Sequence, residues 1–218
     1  MRYFILAFFI TIVASLVTYT GTSQANTSKS YLDYAQDRTV LVYRTCEDGV
    51  GDGWGSGVIW EGNKVVTAEH LVDDREGCTF AVSRAGEDSY PATVAKEDTR
   101  TDLALLNVAH DYGVTVSFAR SKLGEAIVVV GYPAQLLDRG NQYLSILYGY
   151  ISTKNVLIES EKRYVDRISA PIYFGNSGGP VFNSVGQVVG IVSAGHMHVQ
   201  GYFYTARGHD ILKFLGAR

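Results

Sequence analysis

Phe174-Gly175-Asn176-Ser177-Gly178-Gly179-Pro180 is the stretch that decides how the rest of the chain is read. Glycines crowd a single serine between two runs of β-forming residues. Glycine takes backbone angles closed to other residues, so such a loop can fold tightly and keep bulk away from an approaching molecule. It can also turn the backbone N–H groups of Gly175, Asn176 and Ser177 toward one point as an oxyanion hole, with Gly175 and Ser177 the expected donors. An ordinary tight turn has the same composition. What separates the two readings lies elsewhere in the chain, because a serine hydroxyl is a weak nucleophile that needs a base, and the base needs an orienting group.

Working outward, Val65-Val66-Thr67-Ala68-Glu69-His70 ends a β run on a histidine. A histidine just past a strand end can project into a cleft, although alone it would read as a surface or core-capping residue. Thr101-Asp102-Leu103-Ala104-Leu105-Leu106 sets a carboxylate immediately before an apolar strand. That position is costly for an unpaired charge. An aspartate there that accepts the imidazole N–H is satisfied and fixes the histidine tautomer. Asp98, in the polar run 96–100, is the next candidate. His70 as base, Asp102 as orienter and Ser177 as nucleophile make one consistent set.

The intervening sequence is β-rich. Runs at Thr39–Arg44, Ser56–Trp60, Lys64–Thr67, Phe80–Ser83, Thr93–Ala95, Leu103–Val108, Ala126–Tyr132, Ser145–Ile151, Val165–Ala170, Val181–Phe182, Val188–Ala194 and Tyr202–Ala206 carry Val, Ile and Tyr, which suit half-buried pleated surfaces. Glu61-Gly62-Asn63 reads as a hairpin turn. His209–Leu215 has helical spacing of Ile211, Phe214 and Leu215. About a dozen short strands exceed one small barrel, so the expectation is an all-β chain of two packed barrels with a C-terminal helix, divided near 109–123.

The N-terminus differs in character. Arg2 precedes an apolar run to about Tyr19, and Ser23 and Ala25 are small residues two apart. This predicts an export signal over 1–25, with an uncleaved anchor as the alternative. A polar linker over 26–38 and a body over 39–218 follow. The body is expected outside the cytosol, secreted or periplasmic, touching a membrane only through an uncleaved N-terminal segment. In that compartment Cys46 and Cys78, on either side of His70, are expected to pair, with two buried thiols as the alternative. The net charge of −3 and the lack of a basic block set nucleic-acid binding aside. No metal site or cofactor is expected, and the acidic loop Glu47–Gly53 reads as a solvated turn rather than a calcium loop.

These residues carry a family resemblance. GNSGGP at 175–180, VVTAEH at 65–70 and TDLALL at 101–106 resemble, in order, the three motifs of the trypsin-like (chymotrypsin-fold) serine peptidase superfamily, nearest its HtrA/Deg branch. GSGVIW at 55–60 and VGIVSAG at 189–195 resemble the strands before its histidine and after its serine. The likeness runs over about 39–215. It implies two six-stranded antiparallel barrels and a serine endopeptidase acting on proteins or peptides through an acyl-enzyme, with no cofactor. It also implies Pro171 and Ile172 at the floor of the specificity pocket and Ser193, Ala194 and Gly195 along its wall. That lining suits small aliphatic side chains; His196 and His198 leave an acidic preference as the minority reading. Glu69 departs from the small or neutral residue usual before the histidine. No PDZ domain is expected within these residues, so PDZ-driven regulation does not carry over. The rivals are a latent or inactive trypsin-fold binding protein and an esterase-type hydrolase. The esterase requires a helix after the serine and the acid and histidine downstream of it.

Overall fold

The computed structural model describes residues 24–73, 77–134, 143–195 and 203–217. The chain is mostly β, in two closed barrels. The first comprises β1 (Thr39–Cys46), β2 (Gly53–Glu61), β3 (Lys64–Thr67), β4 (Cys78–Ser83), β5 (Ser89–Asp98) and β6 (Leu103–Val108), closed in the order β1-β2-β3-β6-β5-β4. The second comprises β7 (Ala126–Gly131), β8 (Ser145–Ile158), β9 (Arg163–Ile168), β10 (Pro180–Asn183), β11 (Val188–Gly195) and β12 (Phe203–Arg207), closed in the order β10-β11-β12-β9-β8-β7. Every pairing within both barrels is antiparallel. The two-barrel expectation is borne out.

Strand periodicity builds three apolar layers from these segments. Side chains alternate across a strand, so Ile59 and Val65 fill the first barrel while their neighbours Val58 and Val66 face the other way. On β7, Ile127 and Val129 fill the second barrel, and Val128 and Val130 meet Val58 and Val66 between the barrels. Val and Ile runs buried on both faces are therefore what welds the barrels together. The connection from β6 to β7 is stitched to both: Val116 N–H donates to Trp60 O (3.2 Å), and Ala119 N–H to Val188 O (2.9 Å).

A helix α2 (Gly208–Leu215) closes the chain, burying Ile211 and Phe214 and ending at Gly216, whose φ of 71° caps it. The stretch expected to be a polar linker is instead a helix, α1 (Gln24–Asp37). Tyr31, Tyr34 and Ala35 recur at helical spacing and pack on the inter-barrel core, with Tyr34 edge-on to Phe182 and Tyr31 Oη donating to Asn183 O (2.9 Å). The apolar N-terminal run lies outside the described residues, and Ala25 falls in the first turn of α1. Cys46 and Cys78, paired across β1 and β4, are joined as a disulfide.

Candidate active site

Three connections meet where the barrels face each other. β3 ends at Thr67 and a short 3-10 turn, Glu69–Leu71, presents His70. The β5–β6 connection presents Asp102, whose φ of 55° is one that aspartate tolerates better than most residues. Asp102 is buried, and its carboxylate is fully engaged. Oδ1 accepts from His70 N–H (3.1 Å) and lies 2.9 Å from His70 Nδ1; Oδ2 lies 3.1 Å from the same nitrogen and accepts from Ser193 Oγ on β11. Burial alone would raise the Asp102 pKa, but the hydrogen bond and charge of His70, with the Ser193 and backbone bonds, hold it below its ordinary value. Burial pulls His70 down, yet the hydrogen bond and charge of Asp102 outweigh it and raise its pKa. The other candidate, Asp98, has its Oδ1 accepting from Arg100 N–H (3.1 Å), and the His70 ring nitrogen bonds Asp102 instead.

Ser177 lies in the loop between β9 and β10, in a cleft of about 710 Å³ that it shares with His70, Ser193 and Ile172. The loop cannot be built from other residues. Gly175 has φ 89°, and a Cβ there would stand 2.2 Å from Tyr132 O; Gly178 has φ 79°, and its Cβ would stand 2.1 Å from Ser56 O. Phe174 O accepts from Ala134 N–H (2.7 Å) and Asn176 O from Gly179 N–H (2.9 Å). No peptide among the described residues is cis, so the N–H groups of Gly175 and Ser177 point away from those bonded carbonyls. Asn176 N–H is committed to Tyr173 O (3.1 Å), which removes it from the expected oxyanion donors. No hydrogen bond joins Ser177 to His70 among the described residues. The strand β10 follows the serine, which excludes the strand-to-helix elbow of an esterase.

The expected pocket is corrected in part. Pro171 is exposed and stands outside the cleft, while Ile172 is buried and lines it. The alternation of the extended chain turns one inward and the other outward. Ser193 lines the cleft and also bonds Asp102. Ala194 and Gly195 lie on β11 beside it. His196 and His198 lie outside the described residues. Val192 and Phe203 complete an apolar floor. Phe203 gets there because β12 pairs it with Gly195, a register the sequence does not announce. Trp54 and Leu71 line the other end. Glu69, the departure from the family pattern, accepts a hydrogen bond from Thr99 Oγ1 (2.9 Å) and so ties the histidine turn to the Asp102 connection. In the acidic loop, Asp48 and Asp52 accept backbone N–H groups, which is turn chemistry.

Residues 55–191 match the profile of the trypsin-like peptidase domain. The chain belongs to that family. It is 38% identical over 147 residues to a probable periplasmic serine endoprotease, DegP-like, of Rhizobium meliloti, covering 64% of this chain and 27% of that protein. It is 35% identical over 153 residues to the uncharacterized protein y4bJ of Sinorhizobium fredii, covering 68% and 23%. The chain thus spans about a quarter of the length of these relatives. Among solved structures, the active form of the Rv3671c protease from M. tuberculosis superposes with a TM-score of 0.73 at 23% identity, over 90% of this chain and 88% of that one. The serine endoprotease from Yersinia pestis gives 0.69 at 21% identity, over 86% and 65%. These two likenesses are of fold. Within the trypsin-like family, the matched segment contains His70, Asp102 and Ser177.

Proposed function

We propose that the chain is an exported serine endopeptidase that cuts proteins or peptides through an acyl-enzyme formed on Ser177. The observation that carries this reading is the buried Asp102 carboxylate bonded to His70 Nδ1 at 2.9 Å, in a cleft shared by His70 and Ser177. Bonded there, Nδ1 keeps its proton and leaves Nε2 as the base. His70 takes the hydroxyl proton as Ser177 Oγ attacks the scissile carbonyl, and returns it to the leaving amine. Water then attacks the acyl-enzyme by the same route. The N–H groups of Gly175 and Ser177 receive the oxyanion; loss of one such donor typically costs about 2.7–4 kcal/mol of transition-state stabilisation. The floor of Ile172, Val192 and Phe203 favours a small aliphatic side chain before the cut. Relatives named as probable periplasmic endoproteases support export.

A latent enzyme is the second reading. Two observations favour it: Ser177 and His70 share no hydrogen bond, and the buried Asn176 amide has no partner among the described residues. The experiment is hydrolysis of an unfolded protein and of peptides with Ala, Val or Glu before the scissile bond, by the full chain and by Ser177→Ala. Cleavage after Ala and Val that vanishes in the variant is expected. Cleavage that persists in Ser177→Ala would refute the assignment.

A further inference from the structure

Behind Asp102 stands a cation that the mechanism above does not use. Arg163 opens β9, and its side chain is only 7% exposed. Its Nη1 donates to Ser193 Oγ (2.7 Å) and lies 3.7 Å from Asp102 Oδ2, while its Nε pairs with Glu161 at the end of the β8–β9 hairpin. The direction of these bonds follows from chemistry. A guanidinium has donors only, and a serine hydroxyl has one proton and acceptor lone pairs. Ser193 therefore accepts from Arg163, and its single proton goes to Asp102 Oδ2, as the Ser193–Asp102 bond requires. The ionised Asp102 carboxylate can only accept, so it takes the hydroxyl proton, and the Arg163 guanidinium holds the Ser193 oxygen from its other side.

We propose that Arg163 is a positioning residue for the His70–Asp102 pair, acting through Ser193, and that it couples the β8–β9 hairpin of the second barrel to the base carried by the first. The proposal rests on reading His70, Asp102 and Ser177 as the catalytic set. Its geometry is a relay of Arg163 to Ser193 to Asp102 to His70, in which each bond polarises the next. The charged groups around His70 are Glu69 on its own turn, Arg100 and Asp102 from the β5–β6 connection, and Glu161 and Arg163 from the hairpin. Among them Arg163 opposes protonation of His70, whereas Asp102 and Glu69 favour it. Arg163 thus restrains the rise that Asp102 imposes on the base, so more of it is neutral near pH 7.

A purely structural arginine would brace the hairpin and leave the base untouched, so the test reads the base. His70 is titrated by NMR in the isotope-labelled full chain, assigned by His70→Gln, for wild type and Arg163→Met. The expected result is an upward move of the His70 midpoint by roughly half a unit to one unit, as a lost nearby positive charge dictates. In turnover, kcat falls by about tenfold or more with KM little changed, the signature of an interaction that matters in the transition state. Arg163→Lys, which keeps the charge and a donor, restores most of both. In a Ser193→Ala background the further loss from Arg163→Met shrinks to within about twofold, because the two residues act in series. A folded Arg163→Met with an unmoved His70 and unchanged kcat overturns the proposal, as does a loss of undiminished size in the Ser193→Ala background. If Arg163→Met does not fold, Arg163→Gln, which also removes the charge but keeps polar donors, runs the same cycle. The NMR shift requires no turnover. An inactive wild type with the shift intact would count against the endopeptidase reading while supporting the coupling.

Discussion

The first barrel holds its share of the site by side chains, and the second holds its share by backbone. His70 and Asp102 are joined to each other by both the ring nitrogen and the main-chain N–H, and Glu69 straps their two connections together through Thr99. Ser177 instead rides on a glycine loop fixed by main-chain bonds to Tyr173, Val192 and Ala134 and by two left-handed glycines, beside an Asn176 amide with no partner among the described residues. The base is thus set by electrostatics, and the nucleophile by conformations only glycine allows. Substitutions on the two sides should fail in different ways.

The largest effect is expected at the serine itself. Ser177→Ala should lower turnover by about 10⁴–10⁶ while the protein stays folded, as in other cooperating triads; steady-state kinetics with circular dichroism would check both parts. On the opposite barrel, Asp102→Asn should lose about 10⁴ through the wrong histidine tautomer. It should also lower the His70 midpoint, which Ser177→Ala should leave nearly alone. Equal His70 titrations in the two variants would erase the distinction between the barrels. Gly175→Ala attacks the backbone side: a Cβ 2.2 Å from Tyr132 O forces the loop to shift. A loss of about 10²–10³ in kcat is expected as an oxyanion donor moves, with the pH profile unchanged.

Two smaller effects sharpen the contrast. The His70 pKa is raised because the bond and charge of Asp102 outweigh burial. A base must be neutral to act, so kcat/KM should fall as the pH drops through a midpoint above about 6.5, the ordinary histidine value. Asp102, held below its ordinary pKa, stays ionised across that range. A midpoint below 6.5 would mean that burial wins. The Cys46–Cys78 bridge encloses β2, β3 and His70. Its removal by Cys46→Ser with Cys78→Ser should cost about 2–4 kcal/mol of stability, read by denaturant unfolding, with kcat little altered.

How much of this the sequence announces depends on how local the cause is. The motifs around His70, Asp102 and Ser177 are contiguous, and Val- and Ile-rich runs mark strands by their own composition, so both barrels could be read. β8 extends to Ile158, past the apolar run that signals it, because pairing with β9 carries it on. Helix α1 was illegible for the opposite reason: Thr27-Ser28-Lys29-Ser30 is a poor helix former, and the helix depends on docking Tyr31, Tyr34 and Ala35 against distant β10. The pocket follows register more than motif. Phe203 meets Gly195 across a β-bulge near Ala194, and of the two residues expected at the floor Ile172 lines the cleft while Pro171 faces out of it. Arg163 sits in the charged run Glu161-Lys162-Arg163, whose composition carries no sign of burial; only the fold brings it beneath Asp102.

An activated Ser177 hydroxyl should react covalently with an electrophilic phosphonate. The full chain is treated with a fluorophosphonate probe, and the modified residue is mapped by mass spectrometry, with Ser177→Ala and His70→Ala as controls. A single adduct on Ser177, absent from both variants, is expected. A folded wild-type protein that takes no label, or labels equally without His70, would contradict it.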